Sequence, residues 1–241
     1  MADSIQVKLP DGSVKEVPKG STALDIAKSI SPRLADAALV AAISSFGNTG
    51  NGDQAGEIAH PTLIDLTRPL EKDTDLRLLT EKDPEALDVY RHSSAHLLAA
   101  AVLELFPETK LGHGPATESG FFYDFYRPTP FTPEDLEKIE KKMQELVQQN
   151  IPYAREFKPR EEGLAEFKKD GDFMKCHFIE QFTKPDEKIS IYKTGKFQDF
   201  CRGPHLPSTG KIKAFKLLNI DRKSTRLNSS HITRSRMPSS A

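Results

Sequence analysis

A chain of 241 residues, 37% hydrophobic and 29% charged, is long enough for one large domain or two small ones and has the composition of a folded protein with a sizeable core. With 34 Lys and Arg against 35 Asp and Glu, the formal charge of -1 excludes a wholesale basic surface while leaving room for a local basic cleft. Two cysteines exclude a disulfide scaffold, and no apolar run approaches the ~20 residues of a membrane helix. The first ten residues lack the basic and apolar regions of a secretory signal, so a cytoplasmic location is expected.

Residues 5–9 and 14–17 alternate apolar and polar around Pro10-Asp11-Gly12-Ser13, which predicts a β-hairpin. Ser21 or Thr22 caps a short helix with Leu24, Ile26, Ala27 and Ile30 on its apolar face, and Pro32 marks its end. Residues 37–43 read equally as a strand or a buried helix, 44–61 as a Gly/Asn/Ser-rich loop, and 62–66 and 75–79 as strands. A small α+β unit over 1–80 follows. A helix runs from Pro84 to Phe106, with Leu87, Tyr90, Leu97, Leu98, Ala101 and Leu105 as one stripe. Residues 111–126 hold three glycines and a dense aromatic, strand-like run. A helix over 133–149 starts at Thr132 with Pro133 in its first turn. Strands are predicted at 151–158, 188–193 and 211–219, and short helices at 160–169 and 172–182.

The last 21 residues differ from the rest. They carry five Lys/Arg and one Asp; without them, 29 basic and 34 acidic residues remain, a charge of about -5. Six serines and no sustained apolar period predict a disordered basic tail over 221–241. One reading is a native segment that binds nucleic acid. The other is foreign sequence, since STRLNSSH resembles translated sequencing-adapter read-through.

Four residues carry the chemistry: His92 and His96 in HSSAH, and Cys201 and His205 in CRGPH. The i,i+4 histidines share one side of a helix, opposite its apolar stripe, and can face a cleft. The second pair sits in a Gly/Pro segment that should be irregular. Together they offer the four N/S ligands of a zinc site. A metal-free hydrolytic or nucleotide-contacting cluster uses the same residues, and spacing does not separate the two. Lys175 suits stabilisation of an oxyanion, and Asp199 suits an ammonium. There is no P-loop, dinucleotide fingerprint or kinase motif.

The order hairpin, RHSSAHLLAAAV, GPATESGFFYDF, FMKCHFIE and DFCRGPHLP resembles the N-terminal half of the bacterial threonyl-tRNA synthetase family over residues 1–220. The resemblance implies a ubiquitin-like TGS domain over 1–80, followed by a mixed α/β editing domain over 81–220. It implies hydrolysis of serine from tRNA(Thr), with His92, His96, Lys175, Asp199, Cys201 and His205 in the cleft. Tyr123 is then expected to stack on the terminal adenine and the backbone near Gly114 to contact it. The family's editing cleft works without metal, whereas the related alanyl-tRNA editing domain binds zinc through a similar ligand set. The ATP and zinc sites of the family lie in a core with no counterpart here, so ligation is not expected of these residues. Full-length members dimerise through that core, which implies a monomer for this piece. A non-catalytic tRNA-binding module remains the third reading.

Overall fold

Residues 3–47, 61–227, 230–236 and 239–240 are described by a computed structural model, with side chains through residue 220. The backbone divides into two units, 1–89 with 204–207 and 90–203 with 208–241.

In the first unit, β1 (Ser4–Lys8) and β2 (Val14–Pro18) form the predicted hairpin, with Ile5 opposite Val17. Gly12 sits in its turn at φ 84°, where a side chain would be strained. Of the two candidate caps, Thr22 starts α1 (Ala23–Ile30): its hydroxyl accepts from the Asp25 N–H, and the Asp25 carboxylate accepts from the Thr22 N–H. Ala23 and Ile26 turn inward, but Ile30 is exposed, so the predicted apolar face ends a turn early. Pro32 does more than end this helix. Ser31 caps α2 (Pro32–Ala37), and Pro32 occupies its first turn, where a missing N–H costs nothing. The ambiguous 37–43 segment is a strand, β3 (Ala38–Ser45). It pairs antiparallel with β4 (Thr62–Ile64) and β5 (Thr74–Thr80), and β5 runs parallel to β1. The sheet order is β2-β1-β5-β3-β4, and α1 closes its core against Ile5, Val7, Ile64, Leu66 and Leu76. This is the ubiquitin-like α+β arrangement. Most of the predicted 44–61 loop, residues 48–60, lies outside the described residues.

α3 (Pro84–Leu105) departs from the predicted stripe. Leu87 is exposed, and every residue from Ser93 to Val102 is buried. Ser93, Ser94, Ala95 and Ala99–Ala101 are small, so neighbours approach on all sides and the helix is sheathed rather than amphipathic.

The aromatic run of the second unit is four short strands rather than one: β6 (Lys110–Leu111), β7 (Ala116–Thr117), β8 (Gly120–Phe121) and β9 (Asp124–Tyr126). α4 (Pro133–Gln148) starts as predicted and buries Ile139, Met143 and Leu146. Next come β10 (Ala154–Pro159), α5 (Arg160–Lys169), α6 (Phe173–Phe182) and β11 (Lys188–Thr194). A strand absent from the sequence reading, β12 (Phe197–Phe200), completes an antiparallel sheet in the order β10-β11-β12. Leu164, Phe167, Cys176 and Ile179 of α5 and α6 pack on Ile189 and Ile191 of that sheet. The expected strand at 211–219 shrinks to β13 (Lys216–Leu217), after a 3₁₀ turn at Thr209–Lys211.

In the segment predicted to be disordered, the backbone is extended over β14 (Asp221–Leu227), β15 (Ser230–Arg236) and β16 (Ser239–Ser240). β14 pairs with β15, β15 lies beside β9, and β16 lies between β13 and β8. The edges of short strands offer unpaired backbone groups to any extended segment.

Candidate active site

Three elements of the second unit converge on a cavity of about 540 Å³. α3 brings His92 and His96 one turn apart, with ring centroids 5.0 Å apart at 85°. β12 and the residue after it bring Phe197, Asp199 and Cys201, whose spacing of two puts them on one face of an extended chain. The two run alongside each other. Phe197 meets the edge of His96 (5.4 Å between centroids), Asp199 Oδ2 lies 3.6 Å from His96 Nε2, and Cys201 Sγ lies 3.3 Å from His92 Nε2. Cys201 is tied to β11: its N–H donates to the Ser190 carbonyl and its carbonyl accepts from the Ser190 hydroxyl.

α6 supplies Lys175, which is almost fully buried and therefore needs partners. Its Nζ reaches Asp199 Oδ1 at 2.5 Å, donates to the Gly112 carbonyl at 2.7 Å and to the Tyr123 hydroxyl at 3.1 Å. The Tyr123 hydroxyl in turn donates to Asp199 Oδ2 at 2.6 Å. The ammonium thus donates two hydrogen bonds and pairs with the carboxylate, whose Oδ2 accepts from Tyr123. Burial pushes the Tyr123 phenol well above its ordinary range, with the Asp199 charge adding to the shift, so it stays a donor. Burial likewise pushes His96 well below the usual histidine range, helped by His92 and Lys175, so its imidazole is neutral at neutral pH.

The structure brings His92, His96, Lys175, Asp199, Cys201 and Gly114 to this one cavity. His205 falls in the 204–207 stretch of the first unit, fully buried, with its backbone N–H donating to Asp65 at 2.8 Å. Tyr123 corrects an expectation. It has no exposed surface, its ring stacks on Phe125 at 5.0 Å, and Gly114 lies directly against it. No face is left for an adenine; Tyr123 holds Asp199 instead. Gly114 is dictated by this contact, because a Cβ there would fall 2.1 Å from the Tyr123 ring.

Five contributors escaped the sequence reading. Asp172 caps α6 by accepting from the Lys175 N–H at 3.2 Å, and burial pushes its carboxyl upward. An Asp just before a helical run is a readable cap signal. The Gly112 carbonyl left no signal, since a backbone acceptor carries no residue preference. Phe178, Phe182 and Arg202 also line the cavity.

The donor set of His92, His96 and Cys201 has its ligand atoms within 4.8 Å of one another. Two imidazoles and a thiol suit zinc by type and spacing.

Two family patterns match the chain: the TGS domain over residues 5–80, and the threonyl and alanyl tRNA synthetase second additional domain over 189–228. These matches place the chain in the aminoacyl-tRNA synthetase class, with a TGS domain ahead of a second additional domain. Threonine–tRNA ligase of Acidobacterium capsulatum is 60% identical over 237 residues, covering 91% of this chain and 35% of the relative. The ligases of Janthinobacterium sp. and Symbiobacterium thermophilum are 46% and 45% identical over 90% and 91% of this chain, each covered to 31%. The chain belongs to the threonyl-tRNA synthetase family, as its N-terminal part, and spans about a third of the length of these relatives. No helix among the described residues is long and apolar enough to cross a membrane.

Proposed function

We propose that residues 81–220 hydrolyse the ester that joins serine to the 3′ end of tRNA(Thr), following a TGS domain over 1–80. The observation that carries this reading is the buried Lys175–Asp199–Tyr123 network opening onto a cavity beside His92. The need is physical. Serine lacks one methyl group of threonine, and a missing methyl-sized group gives only about 1–3 kcal/mol of discrimination, so a second hydrolytic site is required.

Asp199 takes the serine ammonium, which leaves the positive field of Lys175 over the ester carbonyl. His92 and Lys175 hold the attacking water. Its oxygen bonds to the carbonyl carbon, the carbon–oxygen bond to the ribose breaks, and the water's proton ends on the ribose oxygen. His96, neutral and pinned by Phe197, shapes the polarity of the wall. His205 is assigned to the ribose contact and Gly114 to a backbone contact with the terminal nucleoside. Tyr123 is a positioning residue for Asp199.

Cys201 narrows the pocket. Its 3.3 Å contact with His92 also fits a nucleophile and its base. Cys201→Ala separates the roles: deacylation persists if the thiol is wall and collapses if it is the nucleophile. The N/S donor set supports the alternative of a zinc hydrolase of the alanyl-tRNA kind, which metal analysis and chelation test. The third reading is a tRNA-binding module that does not turn over. ATP-dependent ligation is not assigned to these residues, and a monomer acting in the cytoplasm goes with the reading. The deciding measurement is deacylation of seryl-tRNA(Thr). Lys175→Ala and His92→Ala should each abolish most of it, and full activity in both overturns these roles.

A further inference from the structure

The rim of the cavity has a composition that the hydrolytic residues do not account for. Phe178 and Phe182 are four apart on α6, with centroids 6.2 Å apart and planes tilted by 30°. Phe178 is the inner ring, 5.8 Å from Lys175 Nζ. Phe182 is the outer one and leaves 56% of its surface in water. Beside it, Arg202 donates from Nη2 to the Phe182 carbonyl at 3.0 Å, while the residue as a whole stays exposed. Both residues line the same cavity as Lys175 and Asp199.

A cleft of this size takes one small ligand, on the order of one aminoacylated nucleoside. If that nucleoside fills the cavity, the next unit of the RNA emerges at the rim, where an uncovered aromatic ring and a guanidinium stand together. Those are the two groups single-stranded RNA uses most: a sequence-tolerant stacking face and a phosphate partner. We propose that Phe182 stacks the base of the nucleotide preceding the terminal one, while Arg202 neutralises the phosphate between the two. This rests on the editing reading for the position of the terminal nucleoside, and it gives the site a grip on RNA that Tyr123, being buried, does not supply.

The test compares two serine esters on the full chain: seryl-tRNA(Thr), and seryl-adenosine, which lacks the preceding nucleotide. Phe182→Ala should reduce kcat/KM on seryl-tRNA by about 5- to 100-fold more than on seryl-adenosine, through KM, as expected for one base stack. Phe182→Trp should restore it. Arg202→Gln should reduce the log–log salt slope of KM for seryl-tRNA by about 0.7, one single-strand phosphate. Equal losses on both esters, or no loss on seryl-tRNA, overturn the proposal. So does a Phe182→Ala effect confined to self-association, which would make the ring a protein contact. If the wild type hydrolyses neither ester, the editing reading fails and binding decides the platform separately. An oligonucleotide ending in CCA, with 2-aminopurine in place of the penultimate base, should be quenched by the wild type and not by Phe182→Ala. Equal quenching overturns it.

Discussion

The two units bury different things. The first fills its sheet with Ile5, Val7, Ile26, Ile64, Leu66 and Leu76, and two of its buried polar side chains meet backbone: Thr74 donates to the Ser44 carbonyl, and Asp65 accepts from the His205 N–H. The second buries a lysine, an aspartate, a histidine and a tyrosine around a void. A desolvated ion pair is rarely more stable than the apolar residues that would fill the same space. The first unit is therefore organised for stability, whereas the second retains charged groups that a stability-driven core would replace.

The largest expected effect comes from breaking that network. Lys175→Met leaves Asp199 buried without its counter-charge and should lower unfolding free energy by about 3–5 kcal/mol. Deacylation should fall by about 10²–10³-fold. Adding Asp199→Leu should recover stability in a denaturant titration without recovering activity; a double variant no more stable than the single one refutes the contrast. In the first unit, Leu79→Ala, at a site with no exposure, should cost about 2–5 kcal/mol by the same titration. Gly114→Ala pushes a methyl into the Tyr123 ring and should cost about 1–3 kcal/mol. Its deacylation rate should fall toward that of Tyr123→Phe, because both disturb the hydroxyl on Asp199. The smallest effect is at Asp172. Its carboxyl is raised in the fold, mainly by burial, so the folded chain holds that proton more tightly than the unfolded one. Its contribution to stability is therefore greatest in acid and is lost as pH rises from the ordinary aspartate range through the raised value. Asp172→Asn, which keeps the cap, should gain on the wild type between pH 3 and 7, while Asp172→Ala should lose about 0.5–2 kcal/mol at neutral pH. Thermal unfolding across that range reads both.

Local signals were the legible ones. Thr22 with Asp25 and Thr132 with Asp135 announce helix starts through local hydrogen bonds, Pro133 fits the first turn, and the HSSAH spacing alone puts two imidazoles on one side of α3. What the sequence hid depends on distant neighbours. The α3 stripe failed because small residues admit packing on every side, and β12 is too short to show a period. Tyr123 reads as an aromatic available for a base until Gly114 and Phe125 are seen covering it. The partners of Lys175 come from three separate segments, one of them a bare carbonyl, and no spacing rule reaches them.

That dispersion has a consequence in time. Lys175 meets Gly112 across 63 positions, and Tyr123 meets Asp199 across 76. At roughly 5–20 residues per second, a ribosome takes on the order of several seconds to pass from Gly112 to Asp199. Until Lys175 is made, the Gly112 carbonyl and the Tyr123 phenol have no ammonium to hold, and until Asp199 is made that ammonium lacks its counter-charge. A nascent chain acquires the complete Lys175–Asp199–Tyr123 network only when β12 has been made, well after the first unit has every strand of its sheet.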